Sequence, residues 1–211
     1  MTRGVFITLE GGEGSGKSTQ VNLLADALAA QGIEVTVTRE PGGAPGAEQI
    51  RALLVNGETA RWDPMSEALL HYAARREHLR HTILPALAGG RWVVCDRFAD
   101  STMAYQGYGH GLGRNVIETL HGAVVGELAP DLTLILDIPA ADGLGRAASR
   151  GGEDRYERMD RTFHDRLREG FLDIARRDTR RCVVIDAAGT VEDVHAAILA
   201  AVHQRLGVNV P

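Results

Sequence analysis

The stretch "GVFITLEGGEGSGKSTQ" (residues 4–20) decides the fold. A short β-rich run, "GVFITLE" (4–10), enters "GGEGSGKS" (11–18), and "KSTQVNLLADALAAQG" (17–32) follows with helical spacing. Val21, Leu24, Ala25 and Leu28 fall on one face, and Gly32 marks a stop. Strand, loop and helix in that order fit the full pattern G-x-x-x-x-G-K-[ST]. Glycines let the backbone wrap so closely that successive N–H groups point at phosphate oxygens. The helix beginning near Gly16 adds its positive end. Lys17 is the one lysine among 23 basic side chains, and a narrow cradle explains it: a compact ammonium fits where a planar guanidinium is too bulky. Gly11, Gly12, Glu13, Gly14, Ser15, Gly16, Lys17, Ser18 and Thr19 are therefore expected to bind nucleotide phosphates, with the Ser18 hydroxyl on Mg²⁺.

Working outward, short apolar runs alternate with amphipathic stretches. Strands are predicted at 34–38, 91–96, 132–138 and 182–186 besides the first. Helices are predicted at roughly 45–55, 65–88, 101–106, 114–127, 139–149, 155–178 and 191–206. Five strands separated by helices imply an α/β fold: a doubly wound, five-stranded parallel sheet flanked by helices, of the P-loop NTPase type. With no repeat or linker, residues 1–211 read as one domain. One stretch breaks the alternation. "ASRGGEDRYER" (148–158) is polar and charge-dense, and is expected to act as a short mobile lid or a plain surface loop.

The bulk numbers set the class. A net charge of −5 argues against a general nucleic-acid or membrane-surface binder. Cys95 and Cys182 sit apart in apolar runs and read as buried free thiols. No charged leader or membrane-length apolar run is present, so a cytoplasmic location is expected. Two function classes fit a phosphate loop: a small-molecule kinase, and a nucleotide-driven switch. The guanine motif N-K-x-D of the common GTPases needs a second lysine, which the chain lacks.

Two further constellations stand at strand ends. "TREPGG" (38–43) puts Glu40 at the carboxyl edge of the sheet, where doubly wound proteins bind ligands. "CDRFADSTMAYQG" (95–107) ends its strand on Asp96, as a metal- or water-organising acid would, and projects Arg97 into the same crevice.

These pieces, with "EGGEGSGKST" (10–19), "YAARREH" (72–78), "PDLTLILD" (130–137) and "DRYE" (154–157), closely resemble the bacterial thymidylate kinases, in the family's order and across the whole chain. The resemblance implies ATP on residues 11–19, transfer of its γ-phosphoryl group to dTMP with Mg²⁺, and a homodimer. A kinase for another nucleoside monophosphate, such as dUMP, is the runner-up. By position it implies that Arg75 and Arg97 hold the dTMP phosphate, with Arg51 near that phosphate or the base. Thr102 and Gln106 would face the thymine edge, Tyr105 would pack under the deoxyribose, and Glu13 would meet the sugar or the phosphate network. The family usually has a phenylalanine where this chain has His71; a neutral imidazole stacks on the base with less area, and Tyr72 is the alternative.

Phosphoryl transfer needs alignment and positive charge on the moving group. The loop positions Gly12, Glu13, Gly14 and Ser15 add no cation to Lys17. The sequence therefore looks like the family subtype that draws its catalytic arginine from the lid (about 146–157): Arg150 first, Arg146 next and Arg155 third, with Gly151 and Gly152 as hinges.

Overall fold

A computed structural model describes residues 3–150 and 155–209, with Arg150 described by its backbone alone. The runs rich in β-branched residues form five strands: β1 (Phe6–Glu10), β2 (Val35–Arg39), β3 (Trp92–Asp96), β4 (Leu132–Asp137) and β5 (Cys182–Asp186). They pair in the order β2-β3-β1-β4-β5, every pair parallel. The register sets Thr8 against Thr133, and their hydroxyls bond at 2.8 Å inside the sheet. Sequence order reverses around β1, so the crevice beyond its carboxyl end is the topological switch point where ligands of such sheets bind.

Helices cover both faces, as parallel strands require. On one face, α1 (Lys17–Ala30) and α9 (Val191–Leu206) bury Val21, Leu24, Leu28, Ile198 and Val202 against Ile7, Leu9, Leu134 and Leu136. On the other, Phe6, Val93 and Phe98 meet Leu79 and Ile83. Nearby, Tyr105, Phe163, Leu167 and Phe171 pack over Ile135. That second face is built by α3 (Pro64–His78), α4 (Leu84–Ala88), α5 (Ala99–Thr102), α6 (Arg114–Val124) and α8 (Arg161–Arg177); α2 (Pro45–Val55) lies against α3, and α7 (Ala140–Arg150) follows β4. Three starts are written in side chains. Asp63 caps α3 ahead of Pro64, Asp160 caps α8, and Thr190 with Asp193 forms a capping box on α9.

Three predicted helices differ. The one expected at 101–106 starts as α5 at Ala99 and widens to a π-helix over Met103–Gly109. The stretch 65–88 is helical throughout but widens to a π-turn over Leu79–Ile83, where the Leu84 N–H reaches back to the Leu79 carbonyl. Pro85 explains the widening: it lacks the N–H an α-turn would use, and its ring crowds the carbonyl four residues back. The helix expected from 155 begins only at Arg161. The Asp160 carboxylate accepts the Phe163 N–H and fixes the start there, while Arg155 and Tyr156 lie buried in the preceding turns. Arg155 and Tyr156 therefore anchor the carboxyl end of the expected lid; its residues 151–154 lie outside the described ones.

Candidate active site

Beyond the carboxyl ends of β1, β2 and β3 lies a cavity of about 330 Å³. Glu13, Gly14, Gly16, Lys17, Ser18 and Thr19 line it on one side. Glu40, Arg51, His71, Arg75, Asp96, Arg97, Thr102, Tyr105 and Gln106 line the rest. The predicted site residues, separated by up to about ninety positions in the chain, thus converge, apart from Gly11, Gly12 and Ser15 of the loop and the lid residues Arg146 and Arg155.

The loop is shaped by backbone. Gly14 and Gly16 take positive φ of 66° and 88°. A Cβ at Gly14 would stand 1.9 Å from the Gly143 carbonyl oxygen, so the loop is pressed onto the first turn of α7. Lys17 Nζ folds over its own loop, donating to the Gly12 carbonyl at 2.6 Å and to Ser15 Oγ at 3.0 Å. Burial, with Arg97 adding to it, pulls the ammonium down to about 8. It is a charge held short of solvation and ready for an anion. Ser18 Oγ donates to Asp96 Oδ2 at 2.5 Å, bringing a hydroxyl and a carboxylate together at the mouth of the loop.

Across the cavity stand two arginines. Arg75 is buried; its Nε donates to Glu40 Oε2 at 2.7 Å, and its Nη2 donates to the Phe98 carbonyl and to Thr102 Oγ1, both at 2.9 Å. Its Nη1 is buried and has no partner among the described residues. An unmatched guanidinium nitrogen beside a cavity is a binding group awaiting an acceptor. Burial works to raise the Glu40 carboxyl, but Arg75 and His78 together outweigh it and hold it below the usual range. His78 continues the chain, its Nδ1 3.0 Å from Glu40 Oε1 and its Nε2 2.6 Å from Thr38 Oγ1.

Arg97 sits at φ 70°, a conformation that costs a non-glycine residue and survives only where surroundings enforce it. Its Nη1 donates to the Gly11 carbonyl at 2.8 Å and to Ser101 Oγ at 3.2 Å; its Nη2 donates to Glu13 Oε1 at 3.1 Å. Glu13 also accepts from the Tyr105 hydroxyl. Burial opposes ionisation of Glu13, but Arg97, Lys17 and that hydroxyl prevail and hold it at about 2. Glu13 therefore belongs to the phosphate loop by backbone and to the opposite wall by side chain.

The remaining wall is aromatic and amide. His71 Nε2 lies 2.8 Å from the Tyr156 hydroxyl, and burial lowers its pKa to about 4, so the imidazole is neutral. Gln106 is buried, and Arg51 donates to the Pro41 carbonyl at 2.7 Å.

Two of the lid arginines are engaged by other groups. Arg146 donates from both terminal nitrogens to the carbonyls of Ala187 and Ala188, each at 2.9 Å. Its charge is committed to the turn after β5. Arg155 is fully buried, donating to the carbonyls of Leu54 and Thr59 and to Glu67, so its charge is spent inside the protein. The side chain of Arg150, and the hinge glycines Gly151 and Gly152, lie outside the described residues.

Sequence reasoning passed over Glu10, Glu67, His78, Ser101 and Tyr156. Buried Glu10 accepts the Phe98 N–H at 2.8 Å and the Ser101 hydroxyl at 2.6 Å, and so holds the loop that carries Arg97. His78 alone left a signal, three residues after Arg75 on the same helix face.

Residues 9–198 match the family model for thymidylate kinase. The thymidylate kinase of Caulobacter vibrioides is 58% identical over 208 residues, spanning 99% of this chain and all of that one. That of Gluconobacter oxydans is 53% identical over 210 residues, with 98% and 97% covered. The crystal structure of thymidylate kinase from Ehrlichia chaffeensis superposes with a TM-score of 0.78 at 36% identity, covering 95% of this chain and 99% of that chain.

Proposed function

The chain belongs to the thymidylate kinase family and is an ATP-dependent dTMP kinase, and from that premise we propose how its residues divide the transfer of the γ-phosphoryl group to dTMP. The observation that carries the reading is the buried Arg75 guanidinium, clamped by Glu40 and Thr102 with Nη1 left for an incoming oxygen, in one cavity with the phosphate loop. Arg75 and Arg97 hold the acceptor phosphate, as rigid forks that match its oxygens. The loop amides of residues 11–19 and Lys17 hold the donor phosphates. Arg51 stands by the acceptor phosphate or base, Thr102 and Gln106 face the base edge, and His71 offers its ring to the base face. Tyr105 packs under the sugar, its hydroxyl tied to Glu13.

The donor set at Ser18 and Asp96 suits Mg²⁺, a hard cation that takes few protein oxygens and shares the rest with phosphates and water. When bound with ATP it supplies charge neutralisation on the phosphates. An acceptor phosphate is already ionised at neutral pH and needs no general base, so Glu13, Glu40 and Asp96 organise arginines and metal. Arg150 supplies the positive charge on the moving group: Arg97, Arg146 and Arg155 are engaged elsewhere, and α7 is pressed onto the loop through Gly143. The chain acts as one domain with its lid over about 146–157.

Free thiols at Cys95 and Cys182 suit a reducing cytoplasm, and no helix among the described residues is long and apolar enough to cross a membrane. Exposed Leu53, Met65 and Leu69 on α2 and α3 give a homodimer an apolar surface to bury. ADP release measured with dTMP, dUMP, AMP and GMP as acceptors tests the function. The reading requires dTMP to be the preferred acceptor; ATP turnover that ignores the acceptor, or preference for another base, would overturn it.

A further inference from the structure

Behind the base wall of the cavity lies a buried carboxylate with no place in the reaction. Glu67 on α3 is fully buried, and its Oε1 accepts the Gln106 Nε2–H at 2.7 Å. Its Oε2 accepts from Arg155, which is equally buried, and His110 Nε2 lies 3.3 Å from Oε1. Arg155 is itself held by the carbonyls of Leu54 and Thr59, so the cation cannot withdraw from the carboxylate.

An ionised carboxylate only accepts hydrogen bonds. It therefore dictates which end of the Gln106 amide faces it: the NH₂ group must turn to Glu67. The carbonyl Oε1 of Gln106 is left buried and without a partner among the described residues, on a side chain that lines the nucleotide cavity. A buried acceptor of this kind asks for a donor from whatever fills the cavity. Thymine and uracil carry an N–H at N3. Cytosine carries a bare acceptor nitrogen there, which would face another acceptor.

We propose that Glu67, neutralised by Arg155, is a positioning residue that locks the Gln106 amide with its oxygen toward the base, and thereby makes the pocket select N3–H pyrimidines and reject cytosine. The device acts at a distance from substrate. It fixes an amide that, left alone, could turn over and greet either base. It says nothing of the 5-methyl group, so it separates dTMP from dCMP and leaves dTMP and dUMP undivided. The proposal rests on the reading of the cavity as the dTMP site.

The test compares kcat/KM for dTMP, dUMP and dCMP in the wild type, in Glu67→Gln and in Glu67→Gln/Arg155→Met. The double variant removes both buried charges and guards against a single variant that fails to fold on an unpaired arginine. A neutral amide at 67 can donate as well as accept, so Gln106 becomes free to turn. The dTMP:dCMP ratio is expected to fall at least about tenfold, while dTMP:dUMP stays within about twofold. Two results would overturn the proposal: a dTMP:dCMP ratio unchanged, or both ratios falling together as in a generally loosened pocket. The wild type offers an arm that needs no variant: N3-methyl-dTMP lacks the donor and should be used at least about a hundredfold less well than dTMP. Equal use of that analogue also overturns the proposal. A wild type that ignores dTMP would instead break the functional reading, so the two failures are distinct.

Discussion

The two walls of the cavity are made in different ways. The donor wall is a single stretch of chain, residues 11–19, shaped by glycine backbone and closed by one lysine. The acceptor wall is a mosaic of side chains from β2, β3, α3 and α5 and the turns that follow them, each fixed by a partner far away in sequence: Arg75 by Glu40, Gln106 by Glu67, Arg97 by Glu13. Phosphate chains are alike in every donor nucleotide, so amides that repeat along a backbone suffice to hold them. An acceptor must be told from its near relatives. That takes individual groups locked in orientation, which only a packed interior supplies.

Changes in the mosaic should therefore damage acceptor binding and spare the donor. The largest effect is expected for Arg75→Lys. A lysine cannot bond Glu40, Phe98 and Thr102 together and still offer a nitrogen to the cavity. Losing a charge-assisted bond of about 2–3 kcal/mol raises the dTMP KM by about 30- to 160-fold. Steady-state kinetics should show the ATP KM unchanged; a shared rise would mean that the walls are not separate.

A smaller effect lies in pH. The protonated form of Lys17 attracts phosphate, and in the free protein it loses its proton as pH rises through about 8. The kcat/KM for ATP, which reports the free enzyme, is then expected to bend down above about pH 8. Bound phosphate raises the ammonium pKa, so kcat should bend at higher pH, and a profile with both bends coincident would oppose this. The smallest effect is expected for His71→Phe. The imidazole is neutral, so a phenyl ring removes no charge and offers more stacking area, and dTMP affinity by calorimetry should hold or improve. A large loss would end the stacking assignment.

The same contrast decides what could be read from sequence. The donor wall was legible because its chemistry is contiguous: glycines, lysine and serine at fixed spacing between a strand and a helix. The sheet was legible for a related reason, since strands buried on both faces leave continuous apolar runs such as "LTLILD". Arg75, Arg97 and Gln106 could be placed through the family resemblance. Glu67, Glu10 and Tyr156 could not be found, because a buried carboxylate or hydroxyl with a distant partner looks in sequence like any solvated one. The late start of α8 was missed for a local reason. Its charged face runs on from "DRYER" without a break in periodicity, and only the Asp160 cap marks the true beginning.

Between the two walls the account still needs positive charge on the phosphoryl group in flight. Lys17 is folded onto its own loop, Arg75 and Arg97 are tied to carboxylates, Arg146 to the turn after β5, and Arg155 to Glu67. The claim that this charge comes from Arg150 is tested most directly by single-turnover transfer from ATP to dTMP in Arg150→Ala. The expected result is a rate lower by at least about 10³-fold, in the range lost with a missing arginine finger, with dTMP binding unchanged. A rate within about threefold of wild type, equivalent to less than about 0.7 kcal/mol of barrier, would contradict it.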